Sequence, residues 1–244
     1  MAVGSFLNVL IAGFAEGPGI WRARSACPAC GHRLGAWELI PVVSYFLLRG
    51  RCHHCGGAIS SRYLWVELAG GLLGAASLGL WGVSLLGFTR LWLLAALFTV
   101  AVVDARQGQV PDLVTWPTAL GGVALAAWLP LESPLTALAQ TALAGGGLFL
   151  VAWTYETLRG REGLGLGDVK IIAMLGAHLG WTGAAVALFA AAVSGVVFYT
   201  GCLVAGRMSY SQRVPFGPFL AAGGALAVFV APWWPAWPGA WPGP

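Results

Sequence analysis

Four cysteines form two pairs, Cys27-Pro-Ala-Cys30 and Cys52-His-His-Cys55, with 21 residues between the pairs. Two Cys-x-x-Cys knuckles can close four sulfurs into a tetrahedron around zinc. Such a site keeps no open coordination position, so Cys27, Cys30, Cys52 and Cys55 predict a structural metal rather than a hydrolytic one. Gly31 and Gly56 each follow the second cysteine of a knuckle, where a tight turn favours glycine. His32, His53 and His54 are alternative ligands. Reduced thiols without metal, or two disulfides, are the competing readings. The metal reading is preferred because so short a loop lacks the apolar mass to fold alone. Cys202 stands by itself in an apolar run and reads as an inert thiol.

Carboxylates are the second source of chemistry. The chain has three aspartates. Asp104 ends the run Leu97-Phe-Thr-Val-Ala-Val-Val-Asp104, and Asp168 follows the glycine-rich Gly163-Leu-Gly-Leu-Gly167. Ionisable groups bordering apolar helices are costly and are functional candidates by default. Two carboxyls brought close share a proton, so one can activate a water while the other polarises a peptide carbonyl. That is the pair an aspartyl protease needs. The plain readings are a helix N-cap for Asp168 and a solvated helix end for Asp104. Asp112, after Pro111, reads as the N-cap of the following helix. Glu67 lies inside an apolar run and requires a partner, Glu38 reads as a surface charge, and His178 reads as structural.

These groups must be positioned by a chain that is 58% hydrophobic and 9% charged over 244 residues, with 36 glycines, 13 tryptophans and a net charge of +4. A globular protein averages about 25% charged residues, so a soluble fold and a disordered one are both excluded. Apolar segments near 1–15, 64–83, 91–104, 113–130, 136–156, 169–181, 183–206 and 216–234 predict an all-α integral membrane protein of about eight transmembrane helices. The first and sixth are short for a crossing. The first also lacks the basic start and cleavage site of a signal peptide. The predicted organisation is a short first span over 1–15, a four-cysteine metal-binding domain over 16–63, and a membrane-embedded domain over 64–244. Twelve of the thirteen positive residues share one face, with Arg90 alone in an opposite loop, and that face is predicted to be cytoplasmic. The tail Pro232-Trp-Trp-Pro-Ala-Trp-Pro238 reads as an interfacial anchor. Lipid is the surrounding partner, and no nucleic acid is expected.

Read in order, Gly4-Ser-Phe-Leu-Asn-Val9, the two cysteine pairs, Val103-Asp-Ala-Arg-Gln-Gly-Gln-Val-Pro-Asp112, Gly165-Leu-Gly-Asp-Val-Lys170 and Pro215-Phe-Gly-Pro-Phe-Leu220 carry a resemblance. The chain resembles the bacterial type IV prepilin peptidases, also called prepilin leader peptidase/N-methyltransferases, over nearly its whole length. The Gly-x-Gly-Asp element alone is also similar to presenilin-type intramembrane aspartyl proteases. The resemblance implies a multi-pass enzyme of the bacterial cytoplasmic (inner) membrane that works at the cytoplasmic face. It implies cleavage of prepilin or pseudopilin precursors after a glycine, then methylation of the new amino terminus with S-adenosylmethionine. It places the catalytic aspartates on Asp104 and Asp168, and ties the cysteine loop to the methylating form. The chain departs from the family at Ala12-Gly-Phe-Ala-Glu-Gly-Pro18, where a basic, proline-containing step is usual. Three other readings stand beside this one. They are an intramembrane aspartyl protease without methyl transfer, a proton-coupled transporter, which would want its carboxyls nearer mid-membrane, and a zinc-ribbon adaptor, which would leave the aspartates idle.

Overall fold

The structure is a computed structural model and describes residues 2–16, 25–129, 133–160, 163–209, 212 and 214–231. Eight helices follow one another among these residues: α1 (Ala2–Glu16), α2 (Val43–Leu47), α3 (Ser61–Trp81), α4 (Leu85–Gln107), α5 (Asp112–Leu125), α6 (Pro134–Arg159), α7 (Leu166–Val204) and α8 (Gly217–Val230). Four of them, α3, α4, α6 and α7, are long and apolar enough to cross a membrane. Most of α1 and all of α8 are apolar but shorter. Every apolar segment read from the sequence falls on a helix, with shifted ends. The tail 232–238, read as an interfacial anchor, and Arg22, Arg24, Arg161 and Arg213 lie outside the described residues.

One expectation is corrected. Arg90 does not occupy a loop, because α4 begins at Leu85 and includes it; the residue is 7% exposed. The apolar run that suggested a start at 91 hid nearly two further turns of helix behind a single charge.

Two compact units divide the chain, Met1–Leu91 and Trp92–Pro244. In the first, α1 packs on α3. Gly4 and Gly70 face each other so closely that a Cβ on Gly70 would fall 2.5 Å from the Gly4 Cα. Small residues of this kind let membrane helices approach backbone to backbone. Asn8 of α1 donates from Nδ2 to the Tyr63 carbonyl at 3.1 Å. Glu67 finds its partner here: its Oε2 accepts the Val42 N–H at 2.7 Å. Val42 has φ 66°, an unusual conformation for a β-branched residue, and Glu67 ties that turn to α3.

In the second unit α7 packs against α5, α6 and α8. At 1.5 Å per residue its 39 residues would extend about 58 Å, nearly twice a bilayer core of about 30 Å. It is not one rod, because Gly180 breaks it with φ 71° and ψ 174°. Gln140 of α6 stabilises the break, its Oε1 accepting the Trp181 N–H at 2.9 Å. The sixth and seventh apolar segments are thus the two halves of α7. His178, read as structural, joins α7 to α5. Its Nε2 lies 2.9 Å from the Thr118 carbonyl of α5, and its ring meets Trp92 edge to face.

Candidate active site and metal centre

Asp104 sits in the last turn of α4 and is 7% exposed. Its Oδ2 accepts the Gly217 N–H at 3.0 Å. Gly217 is the first residue of α8, where backbone N–H groups have no partner within the helix and the helix end favours negative charge. The contact requires glycine: a Cβ on Gly217 would lie 2.5 Å from Oδ2 and 2.8 Å from Cγ of Asp104.

Asp168 lies in the first turn of α7, whose N-cap is Gly165, and is half-buried. It is therefore not an N-cap itself. Gly167 brings this turn against the chain leaving α4, since a Cβ there would fall 2.6 Å from Val110 Cγ2. The structure brings Asp104 and Asp168 together closely enough for the Asp104 carboxyl to act on Asp168 electrostatically. Two carboxyls from the ends of different helices, one buried and held by a backbone amide, can divide the tasks of activating water and polarising a carbonyl.

Asp112 is not the N-cap of α5, a position taken by Pro111; it is the first helical residue and makes no cap. Its Oδ1 pairs with Lys170 Nζ at 2.5 Å. Lys170 is the chain's single lysine, and this pair joins the start of α5 to the first turn of α7 two residues beyond Asp168. Two residues of the site went unassigned in the sequence reading. Gly217 stood in the motif Pro215-Phe-Gly-Pro-Phe-Leu220, which gave no sign that its amide reaches a carboxyl. Lys170 closed the motif Gly165-Leu-Gly-Asp-Val-Lys170, which did not announce Asp112 as its partner.

The cysteine loop builds its site twice over. Each knuckle carries an isolated antiparallel bridge, Ala26 with Arg33 and Arg51 with Ala58. The Gly31 N–H donates to the Cys27 carbonyl and the Gly56 N–H to the Cys52 carbonyl, both at 2.9 Å. Gly31 and Gly56 adopt φ of +71° and +70°, as the turns require. All four cysteines are free of disulfides, and their sulfurs lie within 4.8 Å of one another, with Cys27 and Cys55 at 3.9 Å. A zinc tetrathiolate with Zn–S near 2.3 Å has sulfurs about 3.8 Å apart, so the donor set fits this ion. The backbone amides of Cys30 and Ala29 hold the Cys27 thiol down at about 7. Cys30 accepts an amide from His32, yet desolvation and the neighbouring Cys55 and Cys27 sulfurs outweigh it and push the thiol up to about 12. Without a cation the cluster therefore keeps part of its protons, which a metal would displace. His32 stacks on His54 at 4.8 Å between the knuckles. Glu38 is no surface charge: its side chain is 4% exposed, with Oε2 accepting the Gly35 N–H and lying 3.8 Å from His32 Nε2.

Comparison with known proteins covers both units. Residues 1–80 match the bacterial peptidase A24 N-terminal domain, and residues 91–200 match the type IV leader peptidase family. A prepilin leader peptidase/N-methyltransferase of Burkholderia pseudomallei strain 1026b is 41% identical over 94% of this chain and 82% of its own. One from strain K96243 is 45% identical over 84% and 67%, and one from Stutzerimonas stutzeri is 32% identical over 93% and 87%. No solved structure matches the chain. Its motifs, its paired acidic helix ends and these relatives agree: the chain belongs to the type IV leader peptidase family, that of the prepilin leader peptidase/N-methyltransferases.

Proposed function

We propose that this protein is a membrane aspartyl endopeptidase that removes the leader peptide from type IV prepilins or pseudopilins, cutting after a glycine. Asp104 and Asp168 are the catalytic pair. The observation that carries the reading is that Asp104, 64 residues before Asp168 in sequence, lies within electrostatic reach of it, with Asp104 Oδ2 accepting the Gly217 amide of α8. The relatives' names support the substrate class. Residues 1–15 serve as the first span, 16–63 as the metal-binding domain and 64–244 as the peptidase domain. We read eight crossings, with the halves of α7 counted separately and the arginine-rich segments at the cytoplasmic face of the bacterial inner membrane.

Zinc held by Cys27, Cys30, Cys52 and Cys55 supplies rigidity to the loop. Methylation of the new amino terminus, with S-adenosylmethionine as donor, is the second activity; the four-cysteine loop and the relatives' printed names support it. Incubating membranes that contain the protein with a purified prepilin and weighing the product tests both steps. A product lighter by the leader peptide supports the peptidase reading, and an intact precursor refutes it.

A further inference from the structure

The segment between the two knuckles has its polarity turned inside out. Residues 37–48 read Trp-Glu-Leu-Ile-Pro-Val-Val-Ser-Tyr-Phe-Leu-Leu and include α2. Their one charge, Glu38, has a side chain only 4% exposed, and Ser44 is buried. The apolar side chains are the ones left outside: Phe46 is 63% and Leu47 71% exposed, and Trp37, Ile40 and Val43 are exposed as well. A loop surrounded by water keeps its charges outside and its large apolar groups in. An apolar patch of the opposite arrangement marks contact with a membrane or with a protein.

Two observations choose the membrane. The first is depth. Glu67, whose Oε2 accepts the Val42 N–H, lies six residues beyond Ser61, the start of α3, or about 9 Å along the helix axis. The 21 residues of α3 extend about 31 Å, close to a hydrocarbon core of about 30 Å. Val42 is therefore held level with the second turn of a helix fit to span, at the depth of roughly 5–10 Å to which interfacial segments bury their apolar face. Trp65 of α3, two residues before Glu67, is exposed, as an interfacial tryptophan would be. The backbone suits the same place. Every N–H from Glu38 to Ser44 has an acceptor, Pro41 having none to place, which withdrawal from water requires.

The second observation is charge. Residues 33–62 hold four arginines, Arg33, Arg49, Arg51 and Arg62, against the single buried Glu38. Arg49 follows the apolar run directly, and both Arg49 and Arg51 are exposed. Basic side chains beside a membrane-entering apolar patch suit anionic lipid headgroups.

We propose that residues 37–48 form a monotopic anchor that enters the leaflet on the arginine-rich side, with Phe46 and Leu47 among the acyl chains and Arg49 and Arg51 at anionic headgroups. The metal-binding loop is then seated on the membrane surface instead of projecting from it, and Glu67 fixes its height on α3. This seating is independent of what the carboxyl pair does.

The test uses the full-length protein in nanodiscs of phosphatidylethanolamine and phosphatidylglycerol in equal amounts, without prepilin. The photo-crosslinker p-benzoylphenylalanine is placed at Leu47 and, as a control, at Ala58, which is exposed in the second knuckle. After irradiation, mass spectrometry finds phospholipid attached at position 47 at least about tenfold more than at position 58. The same probe at Phe46 guards against a folding defect at Leu47. In the Leu47-probe protein, Arg49→Gln together with Arg51→Gln lowers the ratio of captured phosphatidylglycerol to phosphatidylethanolamine at least about fivefold, one arginine's share at an anionic surface. Lipid capture at positions 46 and 47 no greater than at 58 would overturn the anchor. Lipid capture at 46 and 47 that disappears when prepilin is added, with prepilin crosslinked in its place, would assign the face to a protein and overturn it too. A lipid ratio unchanged by the arginine substitutions would overturn the assignment to anionic headgroups.

Discussion

Replacing Gly217 with alanine probes the active-site geometry without removing a carboxyl. The new Cβ would stand 2.5 Å from Asp104 Oδ2 and 2.8 Å from Cγ, whereas real Cβ atoms essentially never approach below 3.0 Å. The carboxyl or the start of α8 must therefore yield by at least about 0.5 Å, the tolerance within which a catalytic constellation has to be held. The same movement stretches the 3.0 Å bond from the Gly217 amide. A hydrogen bond to a charged group is worth about 1.5–3 kcal/mol, and a rate loss of about 10²-fold corresponds to about 2.7 kcal/mol. We expect kcat/KM for prepilin cleavage to fall about 10²-fold in Gly217→Ala. Alanine suits a helix better than glycine, so the yield of folded protein should hold, as circular dichroism and gel filtration would report. Cleavage within threefold of wild type would refute the reasoning, because it would mean that the position of Asp104 does not depend on this amide.

Three further outcomes are expected. Asp104→Asn and Asp168→Asn each abolish cleavage and the wild-type rate passes through a pH optimum, because one carboxyl cannot do both tasks; Asp112→Asn, which loses a partly exposed ion pair worth at most about 1 kcal/mol, stays within about fivefold, and full activity in either of the first two sinks the pair. Metal analysis of protein purified under reducing conditions gives about one zinc per chain, the joint change Cys27→Ser and Cys52→Ser releases it while cleavage persists, and metal-free wild-type protein would refute the site. With S-adenosylmethionine supplied, the cleaved pilin gains one methyl group by mass, and a product that stays unmethylated would limit the chain to peptidase activity.

The four-cysteine cluster was legible in the sequence because its information is local: each knuckle closes within four residues, and the glycine that permits its turn comes next. The aspartates were legible as individuals, from their places at the ends of apolar runs. Their meeting was not, because no periodicity links α4 to α7, and only the ordered motifs suggested it. The partners that complete the site are more remote still. Gly217 reaches Asp104 across 113 positions and Lys170 reaches Asp112 across 58. The interruption of α7 was approached but misplaced by two residues, since glycines are frequent throughout that run and only Gln140 marks Gly180 as the one that breaks. Arg90 misled for the opposite reason: a charge inside an apolar stretch looks like an end until burial shows that the helix continues past it.

The ion pair of Asp112 and Lys170 has a practical consequence. With one lysine in 244 residues, an amine-directed reagent has a single side-chain address, and that address lies within the same helical turn as Asp168. A fluorophore attached there would act as a built-in reporter of substrate arrival. A zero-length carbodiimide coupling would join Lys170 to Asp112 as an internal amide, turning the contact between α5 and α7 into a covalent strap that mass spectrometry can locate.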